Sequence, residues 1–562
     1  MRLKIYLALF AVIVLTACKK DFLDRYPQDD LTDDTYWTSE NNVRTFAYGF
    51  YTLYFSGYGS SYTFGRYFSG QSLNDDFAPS NPPQFTKNIP ASGGGWSFSA
   101  VRKANLFIER VQQVPMNDEA IKHWTGVGRF FRALEYYDLV RTFGDVPWFG
   151  RTLTEQDVDI LYKPRDARVV VMDSVLEDFK YAAQHVRASD GTDGLSVNKY
   201  VVLAYMSRVF LFEGTYLKYH NIDAARSTTY LEQAKWAANE VINSAKYQVA
   251  PDYRGMFNSL SLAGNKEIIM YRQYETGLIT HSLNSYVNKE PQTGASKNAI
   301  ESYLAEDGLP ISLSLLYQGD KTIADVMTDR DPRMYETFVP QLRLNGVASN
   351  YSTSGYAVHK FLNEAIKDAP EGNSNLNPTD APVIRYGEVL MNYAEAAAEL
   401  GNITQADLDK SINALRDRAD VQMPHLQVIG GQPAINGNVY DDPERDPTVP
   451  SFIWEIRRER RVELMMEGFR LDDLKRWKKL EYTDTQNNPD INRGAWIKLS
   501  DYAGLKDVKI DGVDEGYIIP ASKPETQRLF VDEKVYLEPL PLDQIKLYSD
   551  QGKVLTQNPG WN

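Results

Sequence analysis

The sequence predicts a mainly α protein, built of helical hairpins with long loop excursions and little β structure. Three observations lead there. Apolar residues recur at helical spacing in several separate stretches. Those stretches come in pairs, joined by short turns carrying Gly, Asn or Thr. Between the pairs run long segments rich in Gly, Pro, Asn and Ser. With 43% hydrophobic and 24% charged residues over 562 positions, the chain has the make-up of one that buries a core, not of a disordered or bilayer-filling one.

The elements follow in order. Arg2 and Lys4 precede an unbroken apolar run, Ile5 to Leu15, and then Leu15-Thr16-Ala17-Cys18. The run is too short for a bilayer of about 30 Å, and small residues before a cysteine match a bacterial lipobox. Residues 1–17 are expected to be a lipoprotein signal peptide, with Cys18 the lipidated N-terminus. Residues 18–34, polar and with Pro27, read as a tether. A helical region is expected over 35–245. In it, Phe130, Leu134 and Tyr137 form a stripe that Gly144 and Pro147 end; Tyr200–Leu217 is an apolar helix, and Tyr230–Ser244 its partner. Residues 246–380 and 421–450 read as loop-rich excursions. Over 381–562 the hairpin pattern returns: Arg385–Leu400, a Thr404/Asp407 N-cap signature, the stripe Leu408, Ile412, Leu415, and a long helical stretch from Phe452 to Leu480. Small residues (Ala394, Ala397, Ala398) suit close helix packing. The hairpins resemble tetratricopeptide-type units without a clean repeat period.

Composition excludes several functions. The net charge of −14 argues against general nucleic-acid binding, which rests on phosphate neutralisation. A single cysteine and scattered histidines leave no disulfide framework and no HExxH or Cys-based metal site. No GxSxG, P-loop, Rossmann or EF-hand motif occurs, so no catalytic residue, metal ligand or cofactor is assigned. Arg457-Arg-Glu-Arg-Arg461 reads as a salt-bridged helix face with Glu455, Glu459, Glu463 and Glu467, and Asp472 with Arg476 as an i, i+4 pair.

Several segments together resemble the SusD/RagB family of outer-membrane nutrient-binding lipoproteins of Bacteroidetes. They are Cys18-Lys-Lys-Asp-Phe-Leu-Asp24, Thr35-Tyr-Trp37, Val101–Ile108, Gly128–Tyr137 into Phe143-Gly-Asp-Val-Pro147, Asp307-Gly308, Asp329-Arg-Asp-Pro-Arg333, Arg385–Ala396, Ile412–Arg416, Glu459-Arg460 through Glu467-Gly468, Arg470 and Asp473–Trp477, and Gln557-Asn-Pro-Gly560. The resemblance implies a lipid-anchored protein of the outer membrane, facing the cell exterior, with no bond-breaking chemistry. Its implied ligands are oligosaccharides, or in some members peptides. Its implied partner is a SusC-like TonB-dependent transporter, over which it sits as a lid. A surface glycoside hydrolase is the rival from another class.

The ligand candidates begin where eleven of the twenty-three residues from Phe46 to Phe68 are aromatic. Phe46, Phe50 and Tyr54 are spaced as a core-facing helix side. Tyr58, Tyr62, Phe64, Tyr67 and Phe68 sit among glycines and serines, where rings could stack on the C–H faces of sugars, with Arg66, Asn74, Asp75 and Asp76 as hydrogen-bonding partners. The resemblance implies that the loop after an acidic pair, ahead of a Trp-led helix, contributes to the ligand face, which adds Phe77 and Phe85; Trp96 reads as the scaffold tryptophan. That loop carries no tryptophan, a departure from the starch-binding pattern. A second patch is Tyr271, Arg272, Tyr274, His281, Asn284 and Tyr286, and a third is Tyr317, Arg343, Tyr351 and Tyr356.

Overall fold

The structure, a computed structural model, describes residues 36–60, 67–68, 73–348, 350–523 and 527–561. The signal peptide, the tether and its Cys18, Arg66, Tyr62 and Phe64 lie outside them.

Helix α1 (Glu40–Tyr48) is capped by the Ser39 hydroxyl and stopped at Gly49. Beyond it Phe50 lies flat on Phe131, ring centroids 4.7 Å apart, and Phe46 stacks on Phe107 at 5.6 Å; the Phe46 and Phe50 rings are core, as their spacing predicts. Helices α2 (Ser99–Val111), α3 (Asp118–Phe143), α4 (Arg168–His185), α5 (Lys199–Tyr219) and α6 (Ala224–Asn243) then pack as successive antiparallel hairpins. The side chains of Asn117, Asn198 and Asp223 accept first-turn N–H groups of α3, α5 and α6, which satisfies donors that have no helical partner. Gly144, at φ 76°, ends α3. A Cβ on Gly128 would press within 2.7 Å of Ile108, and one on Gly214 within 2.8 Å of Leu231. Those two glycines set the approach of α2 to α3 and of α5 to α6.

Strand β1 (Ile268–Arg272) pairs antiparallel with β2 (Ala381–Arg385), so the long excursion leaves the body and returns to it at one place. Within it lie short helices, among them Leu283–Lys289, Lys297–Glu301 and Pro332–Thr337. Helix α7 (Tyr386–Glu399) follows β2 and packs on α6, and its Ala394 and Ala397 are fully buried. The Thr404–Asp407 capping box forms and opens α8 (Gln405–Asp409), but the expected single stripe is split at Ser411, where α9 (Ile412–Arg416) begins.

Residues 426–439, expected as loop, form a three-stranded meander: β3 (Leu426–Ile429), β4 (Gln432–Ile435) and β5 (Asn438–Val439). Gly430-Gly431 and Asn436-Gly437 take φ of 61°, 79°, 51° and 80°, the left-handed pairs that close two-residue hairpins. The expected helix from Phe452 to Leu480 is two helices, α10 (Ser451–Glu463) and α11 (Arg470–Arg476). Met466 at φ 64° and Gly468 at φ 80° break it. The pairs β6 (Trp496–Lys498) with β7 (Glu515–Tyr517), and helix α12 (Leu542–Asp550), complete the elements.

The interior changes character along the chain. Around α2–α6 it is mostly apolar, with two buried ion pairs, Arg132 with Asp178 (2.7 Å) and Arg168 with Glu213 (2.6 Å). Around α10 it is ionic: Arg385 reaches Glu267 (2.9 Å), Glu463 (2.7 Å) and Glu467 (2.8 Å), and Arg418 reaches Glu267 (2.6 Å) and Glu463 (3.0 Å). Arg333 binds Asp331, Glu459 and Glu463 at 2.7–3.0 Å, and Lys360 binds Glu467 at 2.9 Å. All are buried. Burial acts to raise Glu463, but Arg418, Arg385 and Arg333 outweigh it and bring it down to about 2. The charged face of α10 is thus sealed inside, not solvated. Asp472 pairs with Arg141 at 2.7 Å, whereas Arg476 takes Glu395 (2.5 Å) and Asp473 (2.8 Å). The charge periodicity expected at Asp472 and Arg476 is overridden by tertiary partners.

Candidate functional site

The acidic pair that leads into the loop ahead of Trp96 is firmly anchored. Asp75 receives Arg470 through both oxygens at 2.7 Å, and Asp76 receives Arg461 Nε at 2.8 Å. The backbone is held as well: Ser296 donates to the Asp75 carbonyl (2.6 Å) and to that of Asp76 (2.9 Å), Ala78 N–H to Gly294 O (2.9 Å), and Arg528 to Asn74 O (3.1 Å). Asn74 Oδ1 accepts Asp76 N–H at 3.0 Å, closing the turn. Burial alone would raise both carboxyls. For Asp75 the Arg461 and Arg470 charges and the Arg470 hydrogen bonds prevail and hold it well below the usual carboxylate range. Asp76 is raised by burial, with the Asp75 charge adding to it. Charge-assisted bidentate contacts of this kind fix geometry as well as adding energy. Asp75 and Asp76 are anchors, both buried.

What they anchor is an open groove of about 650 Å³, lined by Pro79, Ser80, Asn81, Pro82, Pro83 and Gln84 on one side and by Thr293 and Thr353 on the other. The Thr353 hydroxyl donates to Ala78 O at 2.7 Å and accepts Gly294 N–H at 2.9 Å. A Cβ on Gly294 would collide with Ser354 Oγ, so glycine is needed where the two walls meet. Thr293 N–H donates to the Tyr286 hydroxyl at 2.9 Å, which backs the groove from within. Among the described residues no charged side chain lines it. Fixed amides and hydroxyls beside three proline rings suit a neutral ligand that presents both apolar faces and hydroxyls.

The aromatic candidates lie elsewhere than expected. Tyr58, Tyr67, Phe68, Phe77, Tyr274 and Tyr286 are all buried in one cluster. Phe68 meets Phe77 edge-on at 5.3 Å and Tyr286 at 5.2 Å; Tyr58 meets Tyr67 at 5.0 Å. Their ring faces are spent on each other, so they shape the groove's support rather than offer stacking platforms. Arg272 donates to Ser56 O at 2.7 Å and lies over Tyr274 at 5.5 Å. His281 and Asn284 are fully buried, and burial lowers His281 to about 3. Phe85 turns away into a small cluster with Phe530, Tyr536 and Trp561. Trp96 packs edge-on against Phe98 and Phe143, at 5.4 and 5.1 Å, just before α2, as a scaffold residue. Of the third patch, Tyr356 is buried, Arg343 donates to Asn350 (3.2 Å), Tyr351 is half-buried, and Tyr317 borders a different cavity. Sequence reasoning missed Pro79–Gln84, Thr293 and Thr353. The one available signal was the proline cluster directly after a pair of acidic residues.

That second cavity, of about 840 Å³, shares no lining residue with the groove, and Asp75, α10 and α11 form part of its wall.

The comparisons agree with this architecture. The family described as "SusD family" matches residues 266–561, and the one described as "Starch-binding associating with outer membrane" matches residues 21–211. The chain belongs to the SusD family. It is 25% identical over 501 residues to SusD-like protein P38 of Formosa agariphila, covering 84% of this chain and 91% of that one. A SusD-like carbohydrate-binding protein of Bacteroides fragilis superposes with a TM-score of 0.68 at 22% identity, covering 92% of this chain and 99% of that one. A laminarin-binding SusD-like protein superposes at 0.55, with 17% identity and coverage of 93% and 100%. The mainly helical fold is that of these structures. Among the described residues no helix is long and apolar enough to cross a membrane.

Proposed function

We propose that the protein is a lipid-anchored, cell-surface glycan-binding protein that captures oligosaccharides in the groove at Pro79–Gln84 and passes them to a SusC-like TonB-dependent transporter, without cleaving them. The observation that carries the reading is the anchored loop itself. Two arginines and a serine fix its inner side, while its outer side presents uncharged amides, hydroxyls and proline rings. A rigid rim of this kind binds without first paying to order itself. The family membership and the glycan-binding names of two structural neighbours support the ligand class. The lipobox at Cys18 supports the anchor, and a tether makes a modest affinity for the transporter sufficient. Against a hydrolase stands the chemistry of the acidic pair: Asp75 is committed to two arginines, and a glycosidase needs two carboxyls flanking the scissile bond at about 5–10 Å.

Calorimetric titration against defined neutral oligosaccharides, with product chromatography on the same samples, tests the reading. Saturable binding without cleavage, weakened about tenfold by Asn81→Ala with Gln84→Ala through the lost hydrogen bonds, is expected. Cleavage would overturn the non-enzymatic role, and binding of peptides in place of every sugar would reassign the ligand.

A further inference from the structure

The 840 Å³ cavity has a chemistry the groove lacks. Trp454, Tyr482 and Tyr317 are half-buried and wall it, so each keeps ring surface toward open space. Six cationic side chains line it, and five give at least one hydrogen bond to a carboxylate, although Arg458 Nε is also without a hydrogen-bond partner. Lys297 is held by Glu301 and Asp490, Arg458 by Asp442, Arg461 by Asp76 and Asn298, and Arg470 by Asp75; Arg445 is held by Asp441 at 2.6 Å.

Arg457 is the exception. It is 5% exposed, lines the cavity and makes no hydrogen bond among the described residues. Its guanidinium stands over Trp477 at 4.4 Å and Tyr219 at 4.8 Å. The nearest carboxylate oxygen, on Glu399, is 3.6 Å away, and Glu399 is already taken by Lys218 (2.7 Å) and Tyr219 (2.8 Å). Nε and Nη2 are sealed without partners; Nη1 is neither bonded nor sealed. A buried guanidinium with idle donors is costly, and Nη1, its one unsealed donor, can give a charge-assisted hydrogen bond to an incoming oxyanion.

The rest of the wall limits what can carry that oxyanion. Asp442, Asp446, Asp490, Glu301 and Glu481 also face the space. They would repel a polyanion and accept hydrogen bonds from hydroxyl groups. The volume is in the range that encloses small molecules or a few sugar rings. We propose that this cavity binds an oligosaccharide containing a hexuronate, with Arg457 receiving the single carboxylate, the half-buried rings of Trp454 and Tyr482 covering the apolar ring faces, and the wall carboxylates accepting its hydroxyls. The site is distinct from the groove, with which it shares no lining residue, and it stands on the cavity's own chemistry whether or not the groove binds neutral glycans.

Calorimetry of the purified protein with glucuronosyl-xylobiose, a trisaccharide that carries one carboxylate, its methyl ester and maltotriose tests this. The acid is expected to bind saturably, and the ester about tenfold more weakly, the difference a charged hydrogen bond makes. Arg457→Gln should weaken the acid by the same factor and leave the ester unchanged. Trp454→Ala, at a half-buried ring, should weaken both ligands; it decides the matter if circular dichroism shows that Arg457→Gln does not fold. Asn81→Ala with Gln84→Ala should leave binding of the acid intact. Absence of binding of the acid, equal affinity for acid and ester, or loss of binding in the groove variant but not in the cavity variants would overturn the proposal. Loss of neutral-glycan binding with binding of the acid retained would overturn only the groove reading.

Discussion

Helices α3 and α10 solve the same problem with opposite materials. Along α3 the buried side chains are mostly rings, aliphatic and small residues, with Arg132, paired to Asp178, the one buried formal charge, and Phe131 alone touches Phe50, Tyr51, Tyr54, Phe55 and Phe130 within about 6 Å between centroids. Along α10 the buried side chains include Glu455, Arg457, Glu459, Arg460 and Glu463. Apolar packing is non-directional and tolerates small shifts. A buried carboxylate shared by two or three guanidinium groups does not, because each lost bond leaves a charge without solvent. The ionic half is therefore the half that fixes angles. It sends Glu459 and Glu463 inward, while Arg457, Arg458 and Arg461, about half a helical turn away, face the cavity and the anchored loop.

Breaking one partner in each half exposes the difference. Arg385→Met strands Glu463, Glu467 and Glu267, and should cost about 3–5 kcal/mol by urea unfolding. Combined with Glu463→Gln it should cost clearly less than the sum, since the two share one network. Phe131→Ala, in the apolar half, should cost about 3–4 kcal/mol and add simply to changes at a distance. Asp75→Asn removes the charge that holds Arg470 and should cost about 2 kcal/mol, with faster amide exchange at Ala78 and a weaker groove.

Acid offers a smoother probe. Burial lowers His281 to about 3, and His123, His220 and His359 to about 4. Each folded value lies below the ordinary 6.5, so the unfolded chain takes up the proton first. Stability is whole above pH 6.5 and falls as the pH drops toward 4. Each group steepens that fall by about 1.4 kcal/mol per pH unit. His281→Gln should flatten the stability–pH curve by one such increment. At the other extreme, Lys546→Ala removes an ion pair whose side chains are 73% and 56% exposed, and stability should stay within about 0.5 kcal/mol.

The helices were readable because their signals are local: Thr404 and Gly144 act within one turn. The meander was missed although Gly430-Gly431 and Asn436-Gly437 between short apolar runs are hairpin signals, because the Gly and Pro richness around them suggests loop. The break at Met466 could not be seen, because a methionine at positive φ is imposed by partners far along the chain. The aromatic segment misled for a physical reason: a ring that stacks on a sugar and a ring that stacks on another ring have the same sequence. The acidic pair, expected to meet a ligand, is held by Arg461 and Arg470, nearly four hundred residues downstream, and no local signal shows that.

That separation bears on time as well as space. Asp75 and Asp76 leave the ribosome long before the arginines that bind them, at sequence separations of 395 and 385, and Phe85 waits longer still for Trp561. Hairpins α2 to α6 can close on their own neighbours as they appear, whereas the groove has no inner wall until the last helices have been made. A chain cut short before Arg461 would carry the scaffold and the rim residues without the arginines that hold the acidic pair in place.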